Sequence, residues 1–102
     1  MDHALAHPEL DEIRIETVLQ ALADPVRLTI VRALADCEAG IACGSIELSI
    51  SKSTRTHHIR TLREAGVVRV RAEGTSRIST LRRADLDALY PGLLDGVLSA
   101  KR

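Results

Sequence analysis

The segment SKSTRTHHIRTLREAG, residues 51–66, concentrates short hydroxyl, imidazole and cationic side chains. These are the residue types that contact nucleic acid, because cations hold phosphates while short or forked polar side chains reach base edges. The charge around them is one-sided. Residues 52–83 hold nine Lys or Arg (Lys52, Arg55, Arg60, Arg63, Arg69, Arg71, Arg77, Arg82, Arg83) against Glu64 and Glu73, a balance of +7. The remaining residues hold five basic and twelve acidic side chains, a balance of −7. A basic block on a chain of formal net charge +0 predicts a polyanionic partner that touches one surface only. The alternative is a solvated charged surface, or an acidic protein as partner.

Other chemistry-bearing residues are few. Cys37 and Cys43 flank a short loop, and His3 and His7 lie near the start. The chain contains no G-x-G-x-x-G, Walker loop, G-x-S-x-G or H-E-x-x-H, so the common phosphate-binding, hydrolase and zinc-protease motifs do not apply. An enzyme would have to use Cys43 with His57 or His58 as nucleophile and base. A helical pattern of 102 residues offers little pocket for that. No enzymatic activity and no cofactor are expected.

The elements that must position these residues are built from aliphatic side chains. Hydrophobic residues make up 45% of the chain, with one Tyr, no Trp and no Phe, so Leu, Ile, Val and Ala must supply the core. A core of that size is marginal alone, and a dimer interface is a natural source of further burial. No apolar run approaches the roughly 20 residues that cross a bilayer. The opening MDHALAHPELDE carries acids where a signal peptide would be basic and then apolar. A cytoplasmic protein without membrane contact is expected, a setting that argues against a structural disulfide.

Residues 9–22 read as a first helix, with Leu10, Ile13 and Thr17 on one stripe and Ile15, Val18, Leu19 and Leu22 on another. Asp24-Pro25 is a start signal for a second helix that buries Leu28, Val31 and Leu34 and ends near Cys37, with Gly40 opening a loop. A short helix is expected over 43–49, with contacts from Ile46, Leu48 and Ile50. Ser51 is the expected N-cap of the next helix, whose inward stripe is Ile59, Leu62 and Ala65 and whose left-handed cap is Gly66. The period then changes to two. Val68, Val70 and Ala72 alternate with Arg69 and Arg71, a turn follows at residues 73–76, and Arg77, Ser79 and Arg82 continue a basic outer face. The leucine-rich tail returns to helical spacing, interrupted at Pro91.

This order predicts a single domain over 1–102, mainly α with a β-hairpin wing: a winged helix-turn-helix with its recognition helix at about 52–65 and its wing at about 67–82. Lys52 is placed to hold phosphate, Ser53, Thr54, Arg55 and His57 to read bases, and Arg60 to reach the DNA backbone. Thr75, Ser76 and Arg77 of the wing would enter a minor groove or grip phosphate. Thr56 and His58 are read as packing or hydrogen-bonding residues, Arg63 and Glu64 as a solvated face, and Arg69 and Arg71 as keeping a hairpin edge soluble.

Three stretches together, LADPVRLTIVRAL, SKSTRTHHIRTLREAGVVRVRAEGTSRIST and the leucine-rich tail, resemble the ArsR/SmtB family of bacterial repressors over residues 15–98. The resemblance implies a homodimer that binds an inverted-repeat operator in double-stranded DNA and is released by an inducer. It also implies an interface formed by the first and last helices, about 9–22 and 84–99, here through Leu10, Ile13, Leu89, Leu93, Val97 and Leu98. Two metal patterns known in that family do not fit. The arsenic-type cysteine pair would fall near Gly40 and Ala42, and the last helices carry no His for a zinc-type site, so no metal site of either pattern is expected. Cys37 and Cys43 remain, either as small half-buried hydrophobes or as a redox-sensing thiol pair beside the reading helix. A soft metal or metalloid held by both sulfurs is the rival signal.

Overall fold

Asp24 and Ser51 each accept a backbone N–H three residues on, from Arg27 at 3.0 Å and Thr54 at 3.2 Å, and these two caps begin the two longest helices. In a computed structural model that describes residues 6–42, 45–46 and 48–101, the elements run in this order. A 3-10 turn (Leu10–Glu12) precedes α1 (Ile15–Leu22), α2 (Pro25–Ala35), β1 (Ile41–Ala42) and α3 (Lys52–Ala65). The hairpin strands β2 (Val68–Glu73) and β3 (Ser76–Leu81) follow, then α4 (Arg83–Leu89) and α5 (Leu93–Ser99). The strands form one antiparallel sheet in the order β1-β3-β2. Helices α2 and α3 with the β2–β3 hairpin make a winged helix-turn-helix.

The core is aliphatic. Val18, Ala21 and Leu22 of α1, Ile30, Val31 and Leu34 of α2, and Ile59, Leu62 and Ala65 of α3 are buried with Val67, Val68, Val70, Leu86 and Leu94. Gly66 ends α3 in the left-handed region, with φ 88°. A Cβ there would lie 2.6 Å from Cγ1 of Ile13, so glycine is required both for the turn and for the close approach.

That approach corrects the first helix expected over 9–22. Ile13 and Arg14 are extended, because Ile13 leaves the helical path to pack on Gly66, and its carbonyl accepts from Oη of Tyr90 at 3.3 Å. Ile13 is therefore 8% exposed and belongs to the chain's own core. The side chains left outside are Leu10 (44%), Ile15 (39%) and Leu19 (47%), so the two stripes read from the sequence are regrouped.

Two further expectations change. The loop after Gly40 contains β1, whose Ile41 pairs with Ser79 and whose Ala42 pairs with Ile78. Ser79 and Arg82 turn inward instead of outward. Ser79 sits opposite the buried Val70, and Arg82 donates to Asp85 at 2.9 Å and to the Pro8 carbonyl at 2.9 Å. The tail breaks at Tyr90-Pro91-Gly92 and resumes at Leu93, in keeping with the interruption expected at Pro91. The short helix expected over 43–49 includes Cys43, Gly44 and Glu47, which lie outside the described residues; Ile46 is buried and Leu48 packs on the core.

The Arg27 N–H donated to Asp24 holds that carboxyl below its usual range. A carboxylate with a depressed folded value stabilises fully above its unfolded range, and the contribution is lost as pH falls through the folded value. Asp24→Ala is therefore expected to cost about 1 kcal/mol in urea unfolding near neutral pH. The gap from wild type should close as the pH is lowered into the acid range; a gap independent of pH would show that the charge contributes nothing.

Candidate nucleic-acid interface

The C-terminal half of α3 is fastened and its N-terminal half is open. All three buried residues of the helix, Ile59, Leu62 and Ala65, lie in its second half, while Lys52, Ser53, Thr54, Thr56, His57 and Arg60 are exposed and Arg55 is half-buried. The hairpin rises beside this open half. Its loop, Gly74-Thr75, joins the paired residues Glu73 and Ser76, and Thr75, Ser76 and Arg77 are exposed.

Helix and hairpin enclose a groove of about 880 Å³. Ile59 and Val70 line its apolar part, while Lys52, Arg55, Thr56, Arg60, Arg63 and Arg77 line it with Thr75 and Ser76. Five of these side chains are cationic, and among the described residues no carboxylate lines the groove. The resulting positive potential attracts a polyanion. Arg60 lies 3.8 Å from Glu64 one turn on, with both side chains largely exposed, a pairing of little energetic weight. Among the described residues no carboxylate pairs with Lys52 or Arg77.

Six of the nine residues proposed from the sequence come together here: Lys52, Arg55, Arg60, Thr75, Ser76 and Arg77. Ser53, Thr54 and His57 do not line the groove. The Ser53 and Thr54 hydroxyls lie 3.2 and 2.8 Å from the Ser51 hydroxyl, so both belong to the cap network as well as to the exposed first turn. The His57 ring lies 5.6 Å from that of His58.

Two groove residues were misread in the sequence. Thr56 is exposed and lines the groove, where packing or internal hydrogen bonding was expected. Arg63 is half-buried and donates to the Ala6 carbonyl at 2.5 Å, where a solvated side chain was expected. The signal for both was present in the four-residue spacings Lys52–Thr56–Arg60 and Arg55–Ile59–Arg63, which place each set on one helix face. The expected hairpin arginines are partly compensated, Arg71 by Glu73 at 3.4 Å and Arg69 by Asp85 at 3.9 Å.

Cys37 does not line the groove. Cys37 is half-buried just beyond α2, and its thiol donates to the Gly40 carbonyl at 3.3 Å. Cys43 lies outside the described residues. Leu89, Leu93, Val97 and Leu98 pack partly on the core. No helix among the described residues is long and apolar enough to cross a membrane.

An open, capped helix with a basic groove between it and a hairpin is the DNA-binding arrangement of a winged helix-turn-helix. Comparison with known proteins agrees. Residues 22–71 match a family described as a helix-turn-helix domain. The chain is 33% identical over 87 residues to the uncharacterized HTH-type transcriptional regulator YceK of Bacillus subtilis, covering 83% of this chain and 86% of that protein. It is 39% identical over 59 residues to an uncharacterized HTH-type transcriptional regulator of Methanocaldococcus jannaschii, covering 57% of this chain and 66% of that protein. The chain belongs to the family of HTH-type transcriptional regulators, and it is a DNA-binding protein.

Proposed function

We propose that the protein is a dimeric repressor of the ArsR/SmtB type, which sits on an inverted-repeat operator and leaves it on an inducing signal. The observation that carries the DNA-reading part is the groove between α3 and the hairpin, with its five cations and bare helix end. Lys52, Arg60 and Arg77 hold phosphates. Arg55 and Thr56 reach bases from the groove, Ser53, Thr54 and His57 from the exposed first turns, and Thr75 and Ser76 follow the DNA backbone with the wing.

The dimer reading rests on a different face. Leu10 of the first turn and Ile15 and Leu19 of α1 are exposed apolar side chains, and the Tyr90 to Ile13 hydrogen bond ties the α4–α5 junction to the segment between those two elements. In the proposed dimer Leu89, Leu93, Val97 and Leu98, partly buried on the core, join this interface, whereas Ile13 supports it from inside. Two such protomers present their reading helices about one DNA turn apart, roughly 10 base pairs, or a multiple of that.

Duplexes enriched by the protein from a randomised pool are expected to contain an inverted repeat. Arg55→Ala should weaken the enriched duplex more than a scrambled one, and Leu19→Asp should give a monomer with poor operator binding. Enrichment of unrelated sequences, or an unchanged dimer in Leu19→Asp, would contradict the proposal.

The signal is proposed to act on the thiols. Cys37 adjoins the end of α2, so bonding it to Cys43 would pull on the connection between α2 and α3. Diamide or peroxide is expected to release DNA from the wild type but not from Cys43→Ser. Release that persists in the Cys37→Ser, Cys43→Ser double variant would exclude a thiol signal.

A further inference from the structure

Arg27 stands where three helices meet. Its backbone N–H goes to the Asp24 cap. Its side chain runs back to the carbonyl end of α1, where Nε donates to the Ala21 carbonyl at 2.6 Å and Nη2 to the Gln20 carbonyl at 3.5 Å. These belong to the last turn of α1, the negative end of the helix dipole, which favours a cation. The remaining corner, Nη1, lies 3.1 Å from Nδ1 of His58 on α3. A guanidinium only donates, so Nδ1 is the acceptor in this hydrogen bond. Asp24 Oδ2 lies 4.0 Å from the same Nδ1.

We infer that Arg27 and His58 form a positioning pair that sets the angle of the reading helix, so that sequence discrimination depends on this hydrogen bond although neither residue touches the groove. The inference rests on the DNA-reading role proposed for α3. Its physical basis is where the helix is held. The buried side chains of α3 begin at Ile59, and apolar packing resists separation while leaving direction free. His58 adds a directional contact next to the unfastened end, and a hydrogen bond weakens steeply when misaligned.

From residue 58 to residue 52 the helix extends about 9 Å. A tilt of about 10° over that lever moves its first turn by about 1.5 Å, more than a base-edge hydrogen bond of about 3 Å can absorb. Contacts to phosphate tolerate such a shift better, because long cationic side chains follow the backbone and carry no sequence information.

The test compares two duplexes: the one most enriched by the wild-type protein from a randomised pool, and a scrambled duplex of equal length. His58→Leu keeps bulk and removes the acceptor. It is expected to bind the scrambled duplex within about twofold of wild type while losing about tenfold on the enriched one, the order of a lost base contact. His58→Asn sets an amide oxygen near the place of Nδ1 and is expected to restore most of the discrimination. Undiminished discrimination in His58→Leu, or parallel loss on both duplexes, would overturn the pair's role. Should His58→Leu fail to fold, His58→Asn and His58→Gln decide the matter, since the longer glutamine cannot place its oxygen there; equal discrimination by both overturns the proposal. Failure of the wild type to enrich any duplex would instead remove the DNA-reading role itself, and the pair's role with it.

Discussion

The helix Lys52–Ala65 is held along one side of its second half, by Ile59, Leu62 and Ala65 in a core whose buried members are all aliphatic, and the rest of the molecule follows from that constraint. A reading helix must keep its first turns bare, so it cannot bury them to gain stability. Support has to come from its far end, its cap and its neighbours. Ser51 supplies the cap, Gly66 lets the chain turn tightly enough for Ile13 to close over the end, and Arg27 binds the helix to α1 and α2 through His58. Helices α1 and α2 give their buried aliphatic side chains to the core that backs this helix, while Leu10 of the preceding turn and Ile15 and Leu19 of α1 remain uncovered.

The segment just before the first turn works in the same direction. The Ala6 carbonyl accepts from Arg63, Nε2 of His7 accepts the Val70 N–H at 3.0 Å, and the Pro8 carbonyl accepts from Arg82. Three consecutive residues thus join α3, the edge strand β2 and the start of α4. A strand edge left unpaired invites association with other chains, and His7 satisfies one of its open donors. Arg82 is the buried charge of this set. Its pairing with Asp85 and Pro8 compensates a charge that would be costly to bury alone. The neutral total charge is therefore divided by use, with arginines beside acids supporting the frame and Lys52 and Arg77 facing the groove.

Much of this was legible in the residues. The Asp24-Pro25 and Ser51 starts, the Gly66 stop, the change of period at Val68 and the break near Pro91 are local signals, and local signals survive folding. Six of the nine groove candidates could be named because helix spacing and the basic block coincide. What escaped depended on contacts between distant residues. Nothing near Ile13 announces that it must leave its helix to meet Gly66. A two-residue strand at Ile41–Ala42 has no period of its own. Ser79 and Arg82 are polar residues that face inward because Val70 and Asp85 receive them. Thr56 and Arg63 were misjudged for a simpler reason: their residue types suggested packing or solvent, whereas their spacing from Lys52 and Arg55 pointed to the groove.

The central claim is that the open end of α3 and the tip of the hairpin form the surface that meets DNA. Amide chemical shifts of the isotope-labelled protein, followed while an enriched duplex is added, address it directly. The account predicts that the largest changes fall on residues 51–60 and 74–77, with α1 and α5 little altered. Changes concentrated on α1 and α5, with α3 and the hairpin loop unmoved, would contradict it.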